Sequence, residues 1–143
     1  MAITQTLTNV FKQDCLDGAQ NLGNGGDTIK IALYTSDATL NASTTAYTTS
    51  NEASGTGYTA GGTSLSSQSV TLDTSNGVAF FDAADPSFSS ATITARGALI
   101  YNNSKSNAAI AVLDFGSDFS SSNGTFTVQF PTAAHNTALI RIS

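Results

Sequence analysis

The sequence predicts a mainly β domain, an antiparallel β-sandwich or barrel-like fold carrying one N-terminal α-helix. Three observations carry that expectation. Ser and Thr together fill 40 of 143 positions, alongside 12 Gly and only 2 Pro, a composition that suits short strands and tight turns better than helical bundles. Short apolar stretches recur between turn signals along most of the chain. A helical period is visible in one place only, near the N-terminus.

There Leu7, Val10, Phe11 and Cys15 fall at i, i+3, i+4 and i+8, while Lys12, Gln13, Asp14 and Asp17 lie off that stripe. The pattern predicts a helix over about residues 4–17, capped by Thr4 or Thr6 and ended by Gly18. Leu7, Val10 and Phe11 are expected to dock it on an apolar surface, and Cys15, on the same stripe, to be a buried inert thiol. The run NLGNGGD at 21–27 is a loop by its glycines and asparagines. Ile29, Ile31 and Leu33 then alternate with Lys30 and Ala32, which predicts a strand within 28–35 with one buried face.

Residues 36–69 are Ser, Thr, Gly, Ala and Asn almost throughout, with two tyrosines and only Asp37 and Glu52 charged. So little apolar area predicts a long surface excursion, with a short strand near Tyr58–Thr59. Disordered segments usually carry more charge, so this one is expected to be ordered by an interaction. Val70–Leu72 and Val78–Phe81 flank Asn76-Gly77 and predict a hairpin. Further strands are expected at Thr92–Tyr101, Ile110–Phe115, Thr125–Phe130 and Leu139–Ile142. The chain therefore reads as a single domain, 1–143, with its β-core in 28–35 and 70–143.

Charged residues are 10% of the chain, against a usual share of about 25%. Ten acidic residues against five basic ones give a net charge of −5 and a pI near 4.3, which argues against nucleic acid or an anionic membrane as partner. One cysteine allows no internal disulfide and no four-thiolate metal site. No basic leader with a following apolar run is visible, and no stretch approaches about 18 apolar residues, so neither secretion by a signal nor a membrane span is expected.

Chemistry is sparse. The one histidine, His135, has no sequence cue for a partner acid or nucleophile. Asp82 and Asp85 are the closest carboxylate set, but Asp before Pro at a strand end is ordinary turn chemistry. Asp17, Asn21, Asn24 and Asp27 have the composition of a calcium loop without its spacing or final Glu. Gly55-Thr56-Gly57 lacks the further glycine or lysine of a nucleotide-binding loop. Three Asn-x-Ser/Thr sequons, at Asn41, Asn103-adjacent Asn102 and Asn123, read as turns in so Ser/Thr-rich a chain. No catalytic, cofactor-binding or metal-ligating residue is assigned, and the chain is expected not to be an enzyme.

Several blocks are nevertheless recognisable: Thr28–Ser36, Thr44–Tyr47, Asn51–Gly62, Ser90–Tyr101, Ala111–Gly116, Gly124–Pro131 and Ala138–Ile142. Together they resemble small virion structural proteins of tailed bacteriophages, over nearly the whole chain, with 51–62 and 90–101 the most specific. The resemblance implies a non-catalytic particle component, most simply a head decoration (cement) protein of the virion that binds the major capsid protein and copies of itself, expected as a trimer. A tail component, or a carbohydrate-binding adhesin stacking sugars on Tyr47 and Tyr58, is the alternative. The candidate interaction residues are Tyr47, Glu52, Tyr58, Arg96, Leu7 and Phe11. Arg96 is placed mid-strand, on the face of Thr92, Thr94 and Ile100, where a guanidinium is usually paired with a carboxylate or carbonyl.

Overall fold

The alternating Ile29, Ile31 and Leu33 form an inner strand of the main sheet. In the computed structural model, which describes residues 2–143, the elements in order are β1 (Thr6–Leu7), α1 (Asn9–Asp17), β2 (Ile29–Tyr34), β3 (Thr63–Ser64), β4 (Ser69–Asp73), β5 (Val78–Asp82), β6 (Ser87–Ala91), β7 (Thr94–Asn102), β8 (Ala108–Ser120), β9 (Gly124–Thr127) and β10 (Ile140–Ile142). The fold is mainly β and antiparallel with one N-terminal helix, as expected, and the sheets do not close into a barrel. A five-stranded sheet runs β1-β8-β7-β2-β3, a three-stranded one β10-β5-β4, and β6 pairs with β9. The principal core lies between them. Ile29, Ile31, Leu33, Ala98, Ile100 and Ile110 from the large sheet meet Phe81, Phe88, Phe126 and Ile140 from the smaller ones, with Val128 and Phe130 from the segment that follows β9.

The opposite face of the large sheet is also buried, contrary to the one-faced strand expected from Lys30 and Ala32. Ala32, Tyr34, Leu99, Tyr101, Ala109 and Val112 are covered by Ile3, Ala38 and Leu40, with Val10 and Tyr47 beside them. The cover is Ile3 together with the Ser/Thr-rich segment, which runs over the surface with most of its residues exposed or half-exposed but sets Ala38 and Leu40 down on the sheet. Backbone bonds hold it: Thr4 N–H donates to Leu40 C=O (2.9 Å), Asn9 N–H to Ala42 C=O (2.8 Å), and Ala109 N–H to Thr45 C=O (2.9 Å). The strand expected near Tyr58–Thr59 forms instead at Thr63–Ser64, paired with Lys30 and Ile31 of β2.

The helix is shorter than expected. Residues 6 and 7 pair with Val112 and Ala111 of β8, because an open strand edge offers their backbone groups partners that the first turn of a helix leaves unmet. The cap is therefore Thr8, not Thr4 or Thr6. Its hydroxyl accepts from Phe11 N–H (3.3 Å) and donates to Ala109 C=O (3.0 Å), so one buried side chain both starts the helix and fastens it to β8. Gly18 ends α1 with φ 65°, as its freedom from a Cβ allows. Phe11 enters the principal core with Leu7 packed beside it. Cys15, however, is exposed, and Phe11 is the one helix residue that is buried. Replacing Phe11 by Ala should cost about 3 kcal/mol, read as a lower Tm in thermal unfolding.

The Asn76-Gly77 hairpin forms as expected between β4 and β5. Asp73 caps it by accepting from Asn76 N–H (3.0 Å) and Asn76 Nδ2 (2.9 Å). The strand expected at Thr92–Tyr101 is realised as β7, preceded by β6, which periodicity did not announce.

Candidate functional site

All four tyrosines of the chain, Tyr34, Tyr47, Tyr58 and Tyr101, converge near its only glutamate, Glu52. Alternation places Tyr34 and Tyr101 on the second face of the sheet, and Glu52 bridges Tyr34 across the strand edge. The Glu52 carboxylate accepts three hydrogen bonds: Tyr47 O–H to Oε2 (2.7 Å), Tyr58 O–H to Oε1 (2.7 Å) and Gly61 N–H to Oε1 (2.7 Å). The Tyr58 hydroxyl also accepts from Leu33 N–H (2.9 Å). Tyr101 O–H donates to Gly61 C=O (2.7 Å) and Tyr34 O–H to Thr48 C=O (2.6 Å). The rings are engaged too. Tyr47 stacks on Tyr101 with centroids 4.8 Å apart, and Tyr58 packs on Phe88 at 5.3 Å.

The cluster is a clamp in which each polar group is already used. The charge-assisted bonds to Glu52, the stronger kind, tie residues 47–61 to one another, and the neutral bonds of Leu33 N–H, Tyr34 O–H and Tyr101 O–H fasten them to β2 and β7. Tyr47 and Tyr58 spend their hydroxyls and a ring face on this packing, so the sugar-stacking role considered for them gains no support from the geometry. Burial pushes all four phenols above their usual range, and for Tyr47 and Tyr58 the bond to the Glu52 carboxylate pushes further. Above about pH 10 the unfolded chain releases phenol protons that the fold retains. The unfolded state then binds fewer protons than the native one, so stability falls as pH rises, by up to about 1.4 kcal/mol per pH unit for each retained proton. Phenolate absorbance should therefore rise in one cooperative alkaline step together with loss of the fold; separate ionisation of the tyrosines in folded protein would contradict the clamp.

The blocks 51–62 and 90–101, distant in sequence, form one unit here. Thr56 bridges Thr92, and Thr92 N–H donates to Thr56 C=O at 2.9 Å. The approach is so close that a Cβ on Gly57 would lie 2.7 Å from Ala91 Cα.

Arg96 is paired, Nε 3.3 Å from Asp114 Oδ1. The register of β7 shifts between Ala95 and Gly97, so Ala95, Ala98 and Ile100 all face the principal core; Arg96 accordingly does not share a face with Ile100, as unbroken alternation predicted. Side chains 36% and 29% exposed make the ion pair worth at most about 1 kcal/mol. Asp27 is committed as well, accepting from Asn21 N–H (2.8 Å) and Asn102 Nδ2 (2.8 Å). The Asn21 bond chiefly holds its carboxyl below the usual range. Asp85 accepts from Phe130 N–H (2.9 Å). Among the described residues no three His, Cys, Asp or Glu side chains are grouped to hold a metal.

Two surfaces were not read from the sequence. An open groove of about 990 Å³ lies between β8 and the C-terminal segment, with Leu113, Phe115, Phe119, Phe126 and Leu139 in its lining. Val70 and Leu72 on β4 and Ile142 on β10 are exposed. The Val70/Leu72 alternation was legible, but pairing alone decides that β4 is an edge. In comparisons with known proteins, no family model matches the chain, and neither a curated protein nor a solved structure matches it.

Proposed function

We propose that this chain is a non-enzymatic structural protein of a tailed-phage virion, which decorates the head, binds the major capsid protein and meets copies of itself there. One observation supports the reading above others. The 36–69 segment is held in shape by the Glu52 clamp and fastened to the sheet through Leu33, Tyr34, Tyr101 and backbone bonds, and the side chains it leaves fully exposed are neutral apart from Asp37. A prearranged surface of neutral hydroxyls and amides loses little ordering entropy and desolvates few charges when it meets a partner. Repetition over a symmetric lattice then gives occupancy through many modest contacts.

Such binding responds weakly to salt. Purified protein mixed with heads lacking it, at low and high ionic strength, should bind in both and delay DNA release on heating. Failure to bind, or binding without delay, would sink the head reading in favour of the tail.

A further inference from the structure

We propose that the free edge of β4 is a self-association surface, at which two copies of this chain pair antiparallel about a two-fold axis through Thr71. The inference deepens the reading that copies of the chain meet, and it needs no capsid for its test. It stands on edge geometry. β4 is bonded to β5 on one side only, and Ser69, Val70, Thr71 and Leu72 are exposed along it. Val70 is 56% and Leu72 65% exposed. Natural edges are commonly blunted by lysine, proline or a bulge. β4 reads Ser-Val-Thr-Leu-Asp and pairs with β5 in unbroken register, so it carries none of these.

The occupant follows from the register. Within one copy Ile142, Ala79 and Leu72 stand in one row across the sheet, and Ile140, Phe81 and Val70 in another on the same face. The second row runs into the principal core through Phe81 and Ile140; the first overhangs it, with Ile142 55% exposed. Pairing centred on Thr71 uses all five residues of β4 and sets Val70 opposite Leu72 of the other copy. A six-stranded sheet results, in which each overhanging row of one copy continues into the core row of the other: Ile142, Ala79, Leu72, then Val70, Phe81, Ile140. All six positions are apolar, and the two-fold axis repeats the match.

Charge agrees with the same register. Asp73 comes opposite Ser69 of the second copy, not opposite its own counterpart, and is already held by Asn76 and by His135 Nδ1 at 3.4 Å. Pairing an edge with its own copy also leaves no outer row of unmet backbone groups at β4. The contact joins copies in pairs, so the association of three expected from the sequence would need a further surface.

Sedimentation velocity of the purified full chain across a dilution series should show reversible dimerisation. Leu72→Lys should abolish it, since a lysine would enter each of the two apolar rows, whereas Leu16→Lys, at a 92% exposed helix position off the sheet, should leave it unchanged. Register is read by oxidation in a Cys15→Ser background. Thr71→Cys should form a covalent dimer, because the two copies of residue 71 face each other. Ser69→Cys should not, since its copies lie about 13 Å apart in this pairing, beyond the about 7 Å a disulfide spans. A chain monomeric at every concentration, dimers indifferent to Leu72→Lys, or equal crosslinking at 69 and 71 would overturn the proposal. If the chain is monomeric yet still binds heads, the edge contact fails and the decoration reading stands. If Leu72→Lys removes head binding from a chain that never dimerises, the edge serves the capsid protein and self-pairing is wrong.

Discussion

Gly62→Ala should remove most of the stability of this protein, more than about 4 kcal/mol of the roughly 5–15 kcal/mol typical of a domain. Gly62 has φ +73°, and a Cβ there would fall on the carbonyl of Ile31 and within 2.8 Å of Ala32 Cα. The colliding atoms are backbone of β2, the strand between β7 and β3, so no side chain can swing away. The residues that follow, Thr63 and Ser64, pair with Ile31 and Lys30, and a shift at Gly62 breaks that pairing as well. Gly77→Ala is the control. Its φ is +67° with open space around the added carbon, so it should lose only the about 1–2 kcal/mol of a left-handed non-glycine residue. Chemical denaturation of both variants tests the collision; comparable losses would show that the chain can relax around Gly62.

Glu52→Ala should cost about 3 kcal/mol, because Tyr47, Tyr58 and Gly61 lose their shared acceptor at once. For a domain of this size that lowers Tm by about 10 °C. The loss should be uneven in space. Residues 47–61 should become the first site of limited proteolysis while β2, β7 and β8 stay protected, since the sheet's own ladder does not involve Glu52. Without the carboxylate, Tyr47 and Tyr58 should also ionise at lower pH. Glu52→Gln keeps one acceptor oxygen and should lie between wild type and Glu52→Ala. An unchanged proteolysis pattern in Glu52→Ala would mean that the bonds independent of the carboxylate suffice to hold the segment.

Several features of the fold were legible because local chemistry dictates them. Period-2 alternation in Ile29–Leu33 marks β2, Gly77 of the Asn76-Gly77 pair supplies the positive φ of the β4–β5 hairpin, and Gly18 stops α1 where its left-handed φ is needed. The mainly β class follows from many such short signals in a Ser/Thr-rich chain. The candidate interaction residues were legible only as types in a suggestive block. Glu52, Tyr47 and Tyr58 stood together in sequence, but nothing local brings Tyr34, Tyr101 and Leu33 to them.

Tertiary structure decided the rest. Leu7 lies on the helical stripe, yet β8 offers residues 6 and 7 strand partners, so the helix begins later, and Cys15, on the same stripe, is exposed. One register shift in β7 reassigns the face of Arg96, and alternation cannot foresee a bulge. The 36–69 segment shows the limit most plainly. Its composition correctly denies it a large apolar core of its own, but a segment can also be ordered by hydrogen bonds and close backbone approach to a surface already folded. Gly55, Gly57 and Gly62 permit that approach, and Glu52 with four tyrosines completes it. Those partners are set by chain closure over long sequence distances, whereas periodicity and turn chemistry report only on neighbours a few residues apart.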